Sequence, residues 1–76
     1  MSRLPAVSAR ELMHALGKAG FRTVRQRDSH VRMRHPDGRI VTVPVHAGQD
    51  IGRGLLRKIL RDAELSRQEF LALLDE

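Results

Sequence analysis

The sequence contains no cysteine, tryptophan or tyrosine, and phenylalanine occurs only as Phe21 and Phe70. Without cysteine there is no disulfide staple, no thiolate zinc site and no cysteine nucleophile. With so few aromatics there is no platform on which successive unpaired bases could stack. Long apolar runs are missing too. None approaches the ~18 residues that a membrane span needs, and Met1 to Val7 lacks the apolar middle of a signal peptide. A soluble protein of the reducing cytoplasm is expected, with no membrane association. No two histidines stand four residues apart, and no HExxH occurs. Neither a metal ion nor a small-molecule cofactor is expected.

What is present is short and basic. The 76 residues are read as one domain, 1–76. A chain of this size buries only roughly 60% of its unfolded surface. A functional site is therefore expected on an open face or a loop edge rather than in a deep cavity. Fourteen lysines and arginines face nine acidic residues, a net charge of +5, and all the basic residues but Lys18 and Lys58 are arginine. The planar guanidinium grips phosphate with two hydrogen bonds. This composition points to a polyanionic partner, most simply a nucleic acid bound through phosphates and shape.

Along the chain the pattern predicts a helix, three strands, a second helix and a short last helix. Ser8 and Glu11 form a capping box, flanked by Val7 and Leu12 at the staple positions. Leu12, Met13 and Leu16 follow as an apolar stripe, Lys18 suits the C-terminal end, and Gly20 offers a left-handed cap. Strands are expected over 21–27, 30–35 and 39–44. Between the last two, Pro36-Asp37-Gly38 is a three-residue hairpin signal. If His35 lies opposite Arg39, then Met33 faces Val41 and Val31 faces Val43. These residues share one apolar side. The other side carries His30, Arg32, Arg34, Ile40 and Thr42. Residues 45–50 are read as loop. The second helix starts at Asp50 or Gly52 and ends near Asp62, with Leu55, Leu56, Ile59 and Leu60 buried. Its exposed sides carry Arg53, Arg57, Lys58 and Arg61. A second capping box, Ser66 to Glu69, opens the last helix, whose apolar residues are Phe70, Leu71, Leu73 and Leu74.

The expected fold class is α+β: an α-β-β-β-α two-layer sandwich with a short extra C-terminal helix. That is the layout of double-stranded-RNA-binding domains, which read shape and 2′-hydroxyls.

Several ordered segments resemble the HicA toxin family. They are Gly20-Phe21, Val24-Arg25-Gln26-Arg27-Asp28-Ser29-His30, His35-Pro36-Asp37-Gly38 and Val41-Thr42-Val43-Pro44 with His46. Gly54-Leu55-Leu56-Arg57-Lys58-Ile59-Leu60 and Leu65-Ser66-Arg67-Gln68-Glu69-Phe70 complete the set. The resemblance spans about residues 8–74. It implies the toxin of a type II toxin–antitoxin system: a metal-independent endoribonuclease acting on mRNA, masked by a HicB-type antitoxin. It also implies that His30, after Ser29 at the start of the second strand, is the catalytic histidine.

Histidine titrates near neutral pH and can serve as general acid or base. RNA supplies its own nucleophile, the 2′-hydroxyl. Arg25 and Arg32 are the candidate phosphate ligands, and Ser29 is a candidate for positioning a phosphate oxygen or His30 itself. Arg57 and Lys58 are candidates for a phosphate-binding rim. Asp28 stands where the family pattern has glycine. Glycine suits a positive φ there, and aspartate adopts it at a cost. Its carboxylate also opposes an incoming phosphate. That feature favours a second reading, a non-catalytic RNA-binding module on the same fold.

Overall fold

The computed structural model describes residues 4–75. Met1, Ser2, Arg3 and Glu76, the ends of the expected 1–76 domain, lie outside the described residues. The element order is β1 (Val7–Ser8), α1 (Ala9–Lys18), β2 (Arg22–Arg27), β3 (His30–Arg34), β4 (Ile40–Pro44), β5 (Asp50–Ile51), α2 (Arg53–Ala63) and α3 (Arg67–Asp75). The expected α-β-β-β-α order with an added C-terminal helix is therefore the one observed.

Local chemistry explains the boundaries. The Ser8 hydroxyl accepts from the Glu11 N–H at 3.1 Å, and the Glu11 carboxylate accepts from the Ser8 N–H at 2.9 Å. This reciprocal cap starts α1. The helix ends on Gly20, whose φ is +106°. There the Phe21 N–H donates to Leu16 C=O and the Gly20 N–H to Gly17 C=O. That pair of bonds satisfies carbonyls the helix would otherwise orphan. α2 ends in the same way, with the Leu65 N–H on Leu60 C=O, but Glu64 occupies the left-handed position at φ 56°. α3 opens on the predicted Ser66–Glu69 box. The two Ser66 hydrogen bonds, from its backbone first and its hydroxyl second, hold the Glu69 carboxyl below the usual carboxylate range.

The three-stranded antiparallel sheet runs in the order β2-β3-β4. Val31 pairs with Val43 and Met33 with Val41, as the alternation requires. All four are buried, while His30, Arg32, Arg34, Ile40 and Thr42 are exposed. The buried side packs against a stripe on α1 (Ala9, Leu12, Ala15, Leu16), a stripe on α2 (Leu56, Ile59, Leu60, Ala63) and Phe70 of α3. Among the described residues, no polar or charged residue is buried.

Two expectations need correction. Leu55 was expected in the buried stripe of α2, but it is 39% exposed. Leu56, Ile59, Leu60 and Ala63 repeat at helical spacing, and Leu55 sits about a quarter turn to one side of that stripe. Residues 45–50 were expected as loop throughout, yet Asp50–Ile51 pairs with Val7–Ser8 as a small second sheet. Two-residue strands carry too little alternation to register as a pattern.

The hairpin tip is tied to the helices. The Asp37 carboxylate accepts from Arg39 Nε at 2.9 and 3.0 Å and from the Arg39 N–H at 3.1 Å. These bonds, the side-chain ones first, hold the Asp37 pKa down at about 2. Arg39 also donates to Ala63 C=O at the end of α2, and its guanidinium lies 5.3 Å from the centre of the Phe21 ring. His35 meets the same ring edge-on, with centroids 5.3 Å apart. Its Nδ1 stands 3.1 Å from the Asp37 N–H and 3.0 Å from Asp37 Oδ1. A neutral imidazole accepts from the amide, and a protonated one donates to the carboxylate. His35 is thus part of the tie rather than of the open face.

Candidate functional site

The open side of the sheet is built from cross-strand pairs. β2 meets β3 with Arg22 opposite Arg34, Arg25 opposite Arg32 and Arg27 opposite His30. Partners directly opposite each other share a face. The spacing 22, 25, 27 does not fit a period of two. The ladder absorbs the misfit at an irregularity between Thr23 and Arg25, which leaves Val24 as the extra residue of a bulge. Thr23 and Gln26 pair with the inward-facing Met33 and Val31. All three arginines of β2 therefore join Arg32, Arg34 and His30 on the outer face.

Asp28 and Ser29 form the two-residue turn that joins β2 to β3. Asp28 takes φ 54°. A two-residue hairpin favours positive φ at this position because the turn must match the strand twist, and glycine meets that need without strain. Ser29 is half-buried, and its carbonyl accepts from the Val45 N–H at 2.6 Å. That bond fixes the start of β3 against the chain leaving β4.

Beside this turn, Arg25, Arg27, Asp28, His30, Arg32 and Thr42 surround a shallow depression of about 220 Å³. Three strands contribute: Arg25 and Arg27 from β2, His30 and Arg32 from β3, and Thr42 from β4. The sequence-predicted His30, Arg25 and Arg32 come together here. Ser29 shapes the turn beside them. Arg57 and Lys58 do not join them. Arg57 lines a separate groove with Leu4, Leu60, Arg61, Leu65 and Arg67, and Lys58 pairs with Asp62 at 2.8 Å. Both belong to α2, in the layer that backs the buried side of the sheet.

Sequence reasoning missed Arg27 and left Thr42 as a face residue without a role. The signal for Arg27 was present, because a two-residue turn at Asp28-Ser29 sets residue 27 opposite residue 30. For Thr42 the only signal was its place opposite Arg32. Among the described residues, neither Arg25, Arg27 and Arg32 nor Asp28 makes an ion pair. No group of three His, Asp or Glu side chains among them could hold a metal ion, and no helix is long and apolar enough to cross a membrane.

Chemically, the depression offers one imidazole, one carboxylate, one hydroxyl and three guanidiniums on an open surface. The fold and site define a small basic α+β protein whose polar chemistry is gathered on one exposed sheet face. The chain belongs to the HicA toxin family: a family model described as HicA toxin of bacterial toxin-antitoxin matches residues 9–65. No curated protein matches the chain. The matched stretch runs from the first residue of α1 to just beyond α2, so it contains the whole outer face.

Proposed function

We propose that this protein is the toxin of a type II toxin–antitoxin pair and cleaves mRNA without a metal ion, using His30 as a general acid or base. Family membership supplies the toxin role. The observation that carries the chemistry is the run of like-charged pairs on the outer face, Arg22 with Arg34 and Arg25 with Arg32, ending on Arg27 with His30. Like charges directly opposite one another destabilise a sheet. Such a face is worth its cost when a polyanion neutralises it.

The reaction follows from these groups. The 2′-hydroxyl of RNA attacks the adjacent phosphorus and the 5′-oxygen leaves. His30 moves one of the two protons that this exchange requires. Arg25, Arg27 and Arg32 stabilise the charge that builds on the phosphoryl oxygens. Products carry 2′,3′-cyclic phosphate and 5′-hydroxyl ends. A HicB-type antitoxin blocks the reaction by covering the His30 face with acidic groups.

The test is inducible expression of the protein beside its His30→Ala variant, with growth and mRNA 5′ ends followed in the same cultures. Arrest with new mRNA ends in the parent and neither in the variant is the expected result. Products ending in a 3′-hydroxyl would overturn the proposed chemistry. A second reading, a non-catalytic RNA-binding module, is favoured by one observation: Asp28, an acidic residue, is among those lining the depression in which this reaction would hold its phosphate. A folded parent that binds RNA but cleaves nothing establishes it.

A further inference from the structure

The depression takes up only part of the outer face. Away from the Asp28-Ser29 turn, its lining ends at Arg25, Arg32 and Thr42. One row further along the strands stand Arg22 on β2, Arg34 on β3 and Ile40 on β4, each opposite its neighbour. Both arginines are exposed, and among the described residues neither side chain has a hydrogen bond, ion pair or ring contact. Ile40 is 48% exposed, on the opposite side of β4 from the buried Val41 and Val43. Two like charges face to face weaken a sheet, and an apolar side chain left in water gains little by burial. The folded chain alone has no use for this row.

A nucleotide supplies what the row lacks. Its phosphate matches paired guanidiniums, which hold it through charge-assisted hydrogen bonds. Its base offers a flat apolar surface, and bases pack on apolar side chains as well as on aromatic ones. The spacing agrees. His30, Arg32 and Arg34 occupy every second position of β3, and two residues of a strand span about 7 Å. That repeat is close to the step between successive phosphates of an extended single strand. A strand that runs along β3 with its scissile phosphate in the depression therefore brings its next phosphate to the outer row. An acidic protein segment would also neutralise Arg22 and Arg34. The unbroken repeat from His30 to Arg34 favours the strand being cut.

We propose that Arg22, Arg34 and Ile40 form a subsite for the nucleotide next to the cut: the guanidiniums hold its phosphate and Ile40 carries its base. This rests on the ribonuclease reading above and extends it to the substrate, an unpaired RNA strand with at least one phosphate beyond the scissile one. The subsite takes no part in the proton transfers. It fixes the strand along β3, so that the scissile phosphate stays among His30, Arg25, Arg27 and Arg32 while the 2′-oxygen attacks.

The experiment starts from one RNA site that the parent cleaves and trims it from either end, down to the dinucleotide that holds the scissile phosphate. The quantity read is the gain in kcat/KM when one nucleotide is restored. In the parent, restoring it on one side is expected to raise kcat/KM about tenfold or more, the scale of hydrogen bonds to a charged group. In a protein carrying both Arg22→Ala and Arg34→Ala that gain should fall to near one. Arg22→Lys with Arg34→Lys keeps the charges and should recover part of it, which a fold defect would not allow. An abasic nucleotide at the restored position should lower the gain in the parent and leave it unchanged in Ile40→Ser. If the parent cleaves the site but gains nothing from either side, or if the double alanine variant gains as much as the parent, the subsite does not exist and the ribonuclease reading stands without it. If the folded parent cleaves no RNA, both proposals fall together.

Discussion

The two faces of one small sheet are made by alternate residues of the same strands, and they obey opposite rules. Val31, Met33, Val41 and Val43 point inward and are at most 4% exposed. Arg32, Arg34, Thr42 and His30, their immediate neighbours in sequence, point outward. The inner face repays its ordering through burial, roughly 25 cal/mol per Å² of apolar surface. The outer face sets guanidiniums against guanidiniums and gains nothing for the fold. What differs between adjacent residues is therefore the state each one serves: the folded chain for one and, under the function proposed above, the complex with an anion for the other.

The sharpest way to break this contrast is to cross it within one dipeptide. Met33→Ala is expected to cost about 2–5 kcal/mol, as large-to-small changes in cores do. That is a large share of the roughly 5–15 kcal/mol holding a domain together. A lower urea midpoint at unchanged slope is the measurement.

The next effect lies at the hairpin tip that seams sheet to helices. Gly20→Ala places a Cβ 2.8 Å from His35 Nε2 on a residue with φ +106°. The loss should be about 1–3 kcal/mol, the usual cost of such strain, and Gly17→Ala, which meets nothing within 4 Å, is the control.

A smaller effect depends on pH. Asp37 is held at about 2 against an ordinary 3.8, so its contribution is full at neutral pH and fades as pH falls through that interval. Asp37→Asn should melt below the parent at neutral pH, and the gap should close at about pH 2.

Smallest for stability, and most telling for function, is Arg32→Ala. It should change stability by less than about 0.5 kcal/mol. If Arg32 holds one phosphate of single-stranded RNA, the slope of log affinity against log salt should fall by about 0.7. Loss of stability without a change in slope would erase the distinction between the faces.

Much of this was legible in the sequence because local rules agreed with the fold. The capping boxes at Ser8 and Ser66, the Pro36-Asp37-Gly38 turn and the Val31, Met33, Val41, Val43 register each follow from a few neighbouring residues. What escaped depends on distant partners. The pairing of Val7–Ser8 with Asp50–Ile51 joins segments too short to show a period. Leu55 reads as core in a list of leucines and falls outside it once the helix has a direction. Of the site, the gathering of His30, Arg25 and Arg32 was expected. The arrival of Arg27 was not, because β2 had been given no register. Arg57 and Lys58 were grouped with the site by charge alone, and charge does not say which layer a residue occupies.

The bulge at Val24 has a consequence for how such strands change length. On either side of it, β2 is written in two different reading frames of the same alternation, and Val24 is the spare letter between them. Removing Val24 leaves Arg22, Arg25 and Arg27 on the outer face and Thr23 and Gln26 on the inner one, with a regular ladder throughout. Deleting Gln26 instead, with Arg27 still opposite His30, brings Arg25 opposite Val31 and turns it toward the core. A strand whose alternation resists changes in length thus carries one place, at the bulge, where a codon can be lost without rewriting the surface, and related chains that differ by one residue between their first helix and this turn can present the same array of guanidiniums.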